Sequence, residues 1–139
     1  MTNRPSTVPF RFALLAGMAL LIASCAPYRV RGRVVSGTDS FIAVVEPHDP
    51  RLSGRGLADV ELDLTINPAR LSQRPLRTRL TTPTGEFSIP IRKAGIRIMH
   101  DELSLFAHAP GFDPIEGIFT RPPKGKRVLV VLAPESAVP

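Results

Sequence analysis

The feature that most constrains this chain is a two-residue period in its apolar side chains, repeated from Arg29 almost to the end. Val60-Glu61-Leu62-Asp63-Leu64-Thr65-Ile66 is the cleanest instance: four apolar residues share one parity, and Glu61, Asp63 and Thr65 share the other. Successive side chains of an extended strand point to opposite faces, so this period describes a half-buried strand and is incompatible with an amphipathic helix. Arg29-Val30-Arg31-Gly32-Arg33-Val34-Val35 alternates in the same way, with arginines opposite valines.

Turn chemistry cuts the rest into similar pieces. Ser36-Gly37-Thr38-Asp39 closes the first strand, and Phe41 to Val45 reads as a buried second. Glu46 to Gly56 is a loop, Val60 to Ile66 a strand, and Asn67 to Pro75 a polar loop. Leu76 to Thr81 alternates with its arginines opposite Leu76 and Leu80; paired as a hairpin with the preceding strand, it sets Arg77 and Arg79 against Glu61 and Asp63. Thr82-Pro83-Thr84-Gly85 turns into Glu86 to Ile91, where Pro90, lacking an N–H, marks a sheet edge or a strand end. Ile96 and Ile98 suggest a short strand within Arg92 to Glu102. Further strands are expected at Leu103 to Ala109, Ile115 to Thr120 and Arg127 to Ala133, with a basic turn at Pro122 to Lys126 and a loose tail after Ala133. Short strands at about 8–12-residue spacing predict an all-β sandwich or barrel.

The N-terminus has a different character. Phe10 to Ala23 is rich in Ala and Leu, follows Arg4 and Arg11, contains no acid, and ends at Ser24-Cys25-Ala26-Pro27. Spanning a bilayer takes roughly 20 apolar residues, and the stretch from Ala13 to Ala23 has the shorter length of a signal-peptide core. Cys25 is the only cysteine, so it has no disulfide partner within the chain. The residues Ile22-Ala23-Ser24-Cys25 resemble the lipobox of bacterial lipoproteins. The resemblance implies recognition of Ile22, Ala23 and Ser24, cleavage before Cys25, and acylation of that cysteine. Two or three acyl chains anchor stably where one does not. The expected organisation is a signal peptide over 1–24, a lipidated start and linker over 25–28, a sandwich over 29–134 and a tail over 135–139. Export is expected, and Ala26 lacks the aspartate that resembles an inner-membrane retention signal. In a Gram-negative host the destination is then the periplasmic side of the outer membrane.

Four landmarks specify the sandwich further: Gly32-Arg33-Val34-Val35, Leu57-Ala58-Asp59-Val60, Thr82-Pro83-Thr84-Gly85-Glu86-Phe87-Ser88-Ile89 and Ala109-Pro110-Gly111-Phe112, followed by Val128-Leu129-Val130-Val131-Leu132-Ala133-Pro134. In this order they resemble the carboxypeptidase regulatory-like domain. That resemblance implies a transthyretin-like, Greek-key β-sandwich of about seven strands. The long segment between Val35 and Leu57 departs from the family pattern, as does Thr82-Pro83 where the family prefers Thr-Asp. Gly85 is expected to make the turn that sends Phe87 into the core, and Gly111 the bend that buries Phe112.

Chemistry is sparse. His48 and His100 each neighbour an aspartate, and His108 falls in a strand, but no spacing matches a metal site and no Gly-x-Ser-x-Gly elbow or phosphate loop is present. No catalytic residue, metal or cofactor is expected. Losing Arg4 and Arg11 with the signal peptide lowers the net charge from +6 to +4. A modest basic balance suits anionic lipid headgroups or glycans, or simply an arginine-rich surface. Nucleic acid is not expected, because no stretch interleaves aromatics with cations. The basic turn Lys124-Gly125-Lys126-Arg127 is one candidate for such contacts and is otherwise an ordinary charged hairpin tip. The loop carrying His48, Asp49, Arg51 and Arg55 is the candidate partner-binding segment, because binding residues concentrate on loops held by rigid scaffolds. The expected function is that of a non-enzymatic envelope lipoprotein whose sandwich binds or scaffolds a protein or glycan partner. The alternatives are a lipoprotein component of a secretion or envelope machine, which the fold resemblance implies, and a small metal-dependent hydrolase.

Overall fold

A computed structural model describes residues 27–68, 74–75, 79–91 and 102–136. Cys25 and the preceding residues, the Ile96 and Ile98 strand, His100 and Arg77 lie outside the described residues. Among the described residues there are nine strands: β1 (Tyr28–Ser36), β2 (Phe41–Val45), β3 (Glu61–Ile66), β4 (Arg74–Pro75), β5 (Arg79–Leu80), β6 (Glu86–Ile91), β7 (Glu102–His108), β8 (Ile115–Thr120) and β9 (Arg127–Leu132). They form two sheets, one in the order β2-β9-β1-β6 and the other in the order β4-β3-β7-β8, with β5 also on β3. All pairings are antiparallel except β1 with β9.

The alternation places one parity of each strand between the sheets. Val30 and Val34 of β1, Phe87, Ile89 and Ile91 of β6, and Val128, Val130 and Leu132 of β9 meet Leu62, Leu64 and Ile66 of β3 and Leu103, Leu105 and Ala107 of β7. This all-β, two-layer core follows the period read from the sequence. Gly32 faces inward opposite Phe87, and a Cβ there would lie 2.6 Å from the ring and 2.0 Å from the Val128 carbonyl oxygen. Gly85 and Gly111 have φ of +84° and +80°, the left-handed region that other residues rarely enter. The chain turns at Gly85 and buries Phe87, as expected; Phe112 after Gly111 is half-buried against the same core. Pro90 lies on β6, an edge of its sheet, which accommodates its missing N–H.

β9 breaks the alternation because it is buried on both faces. Its Leu129 and Val131 join Val35 and Val45 in a second, smaller apolar cluster on the outer side of the first sheet. The segment between β2 and β3 covers that cluster. A single 3-10 turn at Pro50–Ser53 presents Leu52 to it, and Gly56 makes an antiparallel bridge with Val35. Arg33 pins the segment by donating to the Leu52 carbonyl, and its Nε donates to the Thr84 carbonyl at 2.8 Å. The long insertion is therefore a strap that completes a hydrophobic layer.

Three expectations need correction. Leu80 pairs with Glu61 and Arg79 with Leu62, so Leu80 shares the outward face and Glu61 has no arginine opposite it. The cause is Thr81, which takes the buried position. Its hydroxyl accepts from Val60 N at 3.0 Å and donates to the Leu57 carbonyl at 2.7 Å. With Thr81 inward, strand parity sends Leu80 outward. The basic turn after β8 is not a hairpin tip, because β8 and β9 belong to different sheets. The tail also starts tied: Pro134 bridges to Phe112, and Glu135 N donates to the Gly111 carbonyl at 2.9 Å.

Candidate binding face

Among the described residues the two outer faces of the sandwich differ in cover. The strap lies over part of the first sheet, whereas the outer face of the second is built by β3, β7 and β8. Glu61, Asp63 and Thr65 of β3 point outward, as do Ser104, Phe106 and His108 of β7 and Glu116, Ile118 and Thr120 of β8. Register aligns them in rows. Asp63 lies opposite Phe106, which lies opposite Glu116; Thr65 lies opposite Ser104, which lies opposite Ile118; Glu61 lies opposite His108. Side chains directly opposite one another on a sheet face are within about 4.5–5.5 Å at Cβ, so each row is a set of neighbours.

Two apolar side chains occupy this polar parity. Phe106 is 38% exposed and Ile118 64% exposed, and Leu80 at the margin is 62% exposed. Phe106 stands between the carboxylate-bearing Asp63 and Glu116. Ser104, buried between strands, donates to Glu116 Oε1 at 2.6 Å and orients that carboxylate. An exposed aromatic ring beside the Glu116 carboxylate suits a cationic side chain with an apolar stem. The ring and the carboxylate attract the cation, and Ile118 covers the methylenes.

The residues singled out from the sequence are placed differently. His48 is exposed at the start of the strap. Asp49 caps the 3-10 turn, accepting from Arg51 N and Nε at 3.0 Å each, while Arg51 Nη2 donates to Oδ2 at 2.8 Å. Hydrogen bonding to Arg51 lowers the Asp49 pKa to about 2. Asp49 and Arg51 thus engage each other. Arg55 is exposed, and its carbonyl accepts from Ser36 N at 2.9 Å. The four residues lie along the strap and do not converge on one point. Cys25, Ile22, Ala23 and Ser24 lie outside the described residues. His108 sits on a sheet face, in keeping with its position in the strand.

Sequence reading missed Phe106 and Ile118. The signal was available: each interrupts a polar parity, Phe106 between Ser104 and His108, and Ile118 between Glu116 and Thr120. Among the described residues no three His, Cys, Asp or Glu side chains are grouped to hold a metal ion. No helix among them is long and apolar enough to cross a membrane.

At the opposite end from the β3 entry, the start of β1 meets the turn after β8. The Tyr28 hydroxyl donates to the Pro122 carbonyl at 2.6 Å, and the Arg121 guanidinium carbon sits 3.8 Å from the centre of the Tyr28 ring. Burial raises the Tyr28 pKa, opposed by Arg121. Compared with family models, characterised protein sequences and solved structures, the chain matches none.

Proposed function

We propose that this chain is a non-enzymatic envelope lipoprotein, anchored through Cys25, whose sandwich has the Greek-key, transthyretin-like topology of carboxypeptidase regulatory-like domains and holds a protein partner on the outer face of the β3–β7–β8 sheet. The observation that carries the binding role is Phe106 with Ile118 on the neighbouring strand: exposed apolar area on the polar parity of two strands, beside the Glu116 carboxylate that Ser104 orients. The partner chemistry that fits is a polypeptide surface with lysine or arginine beside apolar residues. The topology is supported by the strand order β2-β9-β1-β6 and by Gly32, Gly85 and Gly111, which occupy close-contact or turn positions where the family landmarks place them. The anchor is supported by the sequence around Cys25, which stands three residues before β1.

Two experiments test this. Intact mass of the membrane-extracted protein should show a chain beginning at Cys25 with acyl mass added. Mass without acyl groups refutes the anchor. A photo-crosslinking residue at position 118 should yield a discrete protein adduct in cells, whereas one at position 88 on the other sheet should not. The adduct should weaken on adding Phe106→Ser and Glu116→Gln. Equal labelling from both positions, or none from 118, refutes the binding face.

A further inference from the structure

We infer that the end of the sandwich next to Cys25 is a seat for anionic phospholipid headgroups, formed by Arg29, Arg31, Arg121, Lys124, Lys126 and Arg127. The inference rests on the anchor reading above and adds an orientation to it. Strand directions bring these residues together. β1 begins at this end, and β9, parallel to it, begins here with Arg127. The turn after β8 carries Arg121, Lys124 and Lys126 and is held against Tyr28 at the start of β1. Arg29, Arg31 and Lys124 are exposed, and the other three are half-exposed. Among the described residues the acids at this end are Glu46, which is paired with Lys126, Asp49, which is paired with Arg51, and Glu102.

The loops of the far end lean the other way. Loops 37–40, 56–60, 81–85, 109–114 and 133–136 carry Asp39, Asp59, Asp113 and Glu135 and no lysine or arginine. Arg55 and Arg79 flank them in sequence, and the Arg33 guanidinium reaches loop 81–85 from β1, donating to the Thr84 carbonyl. Nine residues of β1 separate the two ends, roughly 30 Å at about 3.3 Å per residue. That is several Debye lengths at physiological salt, where the length is about 8 Å, so one end can meet a charged surface while the other does not feel it.

The tether makes the polarity consequential. Only Ala26 and Pro27 lie between Cys25 and Tyr28. Extended chain spans at most about 3.6 Å per residue, so an acylated Cys25 keeps the start of β1 within about 10 Å of the lipid. The basic end is therefore held at headgroup depth, and each basic residue near an anionic surface strengthens association about fivefold. Seating this end directs the acidic far loops away from the membrane and stands the β3–β7–β8 face alongside the membrane normal, accessible to a partner in the compartment.

The test uses the full lipidated protein in vesicles of phosphatidylcholine with or without phosphatidylglycerol. With Cys25 acylated, Thr120→Cys at the tether end and Ser136→Cys at the far end each supply a single free thiol for a spin label. In phosphatidylglycerol vesicles the label at 120 should move toward the lipid phase, reported by collisions with oxygen against a water-soluble nickel complex, and the label at 136 should not. Arg29→Gln with Lys124→Gln should lower the ratio of seated to unseated protein about 25-fold. Molar salt should also abolish the shift, since the Debye length is then about 3 Å. An acylated, vesicle-bound protein whose label at 120 ignores lipid charge overturns the seat and leaves the anchor standing. The seat is equally overturned if an anionic polysaccharide protects this end while phosphatidylglycerol has no effect. A chain with no acyl mass overturns both.

Discussion

Replacing Leu52 by alanine separates a strap that completes the fold from a loop kept free for a partner. Leu52 is half-buried and packs on the cluster of Val35, Val45, Leu129 and Val131, all at most 6% exposed. Leu→Ala at fully buried sites costs about 2.7–5.0 kcal/mol, from lost transfer energy and the cavity left behind. A half-buried site that water can refill should lose about half of the lower figure, near 1.5 kcal/mol. For a domain of this size that lowers Tm by about 6 °C. The assay is thermal unfolding of the detergent-solubilised protein by circular dichroism, with His48→Ala and Arg51→Ala beside it. Those two side chains lie outside the cluster, so their variants should melt with the wild type. A Leu52→Ala protein that also melts with the wild type would refute the strap and favour a loop kept free for partner contact.

Other expected outcomes follow from single contacts. Thr81→Val strands the Val60 N–H and the Leu57 carbonyl, so urea unfolding should show a loss of about 3 kcal/mol, with Thr81→Ser restoring most of it. Gly32→Ala forces a methyl into the Val128 carbonyl and the Phe87 ring; the shift in β9 should cost at least about 2 kcal/mol and appear as a lower urea midpoint. The Asp49 carboxyl should titrate by carbon NMR near its pKa of about 2, moving toward 3.8 in Arg51→Ala. A folded-state pKa below the unfolded value means this contact favours folding at pH above 3.8 and is lost as pH falls through about 2. Because the pair is exposed to solvent, its loss should not unfold the protein by itself.

Much of the architecture was legible because strand parity is a local property. β2, β6 and β8 fall on the boundaries read from alternation and turn residues, β3 and β9 differ by a residue at one end, and β1 and β7 by a residue at each end. The turn at Gly85 was readable because positive φ selects glycine whatever surrounds it. Parity failed where a polar residue took a core position. Thr81 is buried because it satisfies the backbone of Val60 and Leu57 from 21 and 24 residues away, and no local pattern announces such a contact. Leu80 consequently points outward.

The chain's own pattern determined that it is all-β, where most strands begin and end, which parity enters the core, and that an apolar segment with a terminal cysteine precedes the domain. Which strands are neighbours, and so which side chains share a surface, was settled only in three dimensions. Asp63, Phe106 and Glu116 are remote in sequence and adjacent on the sheet because β7 pairs with both β3 and β8. Arg29 and Lys124 share an end because β1 and β9 run parallel with the turn after β8 clasped to Tyr28. The physical reason is the same in each case. Alternation assigns a residue to a face from its immediate neighbours, while the composition of that face depends on pairings between distant segments that are selected by burial of the whole core.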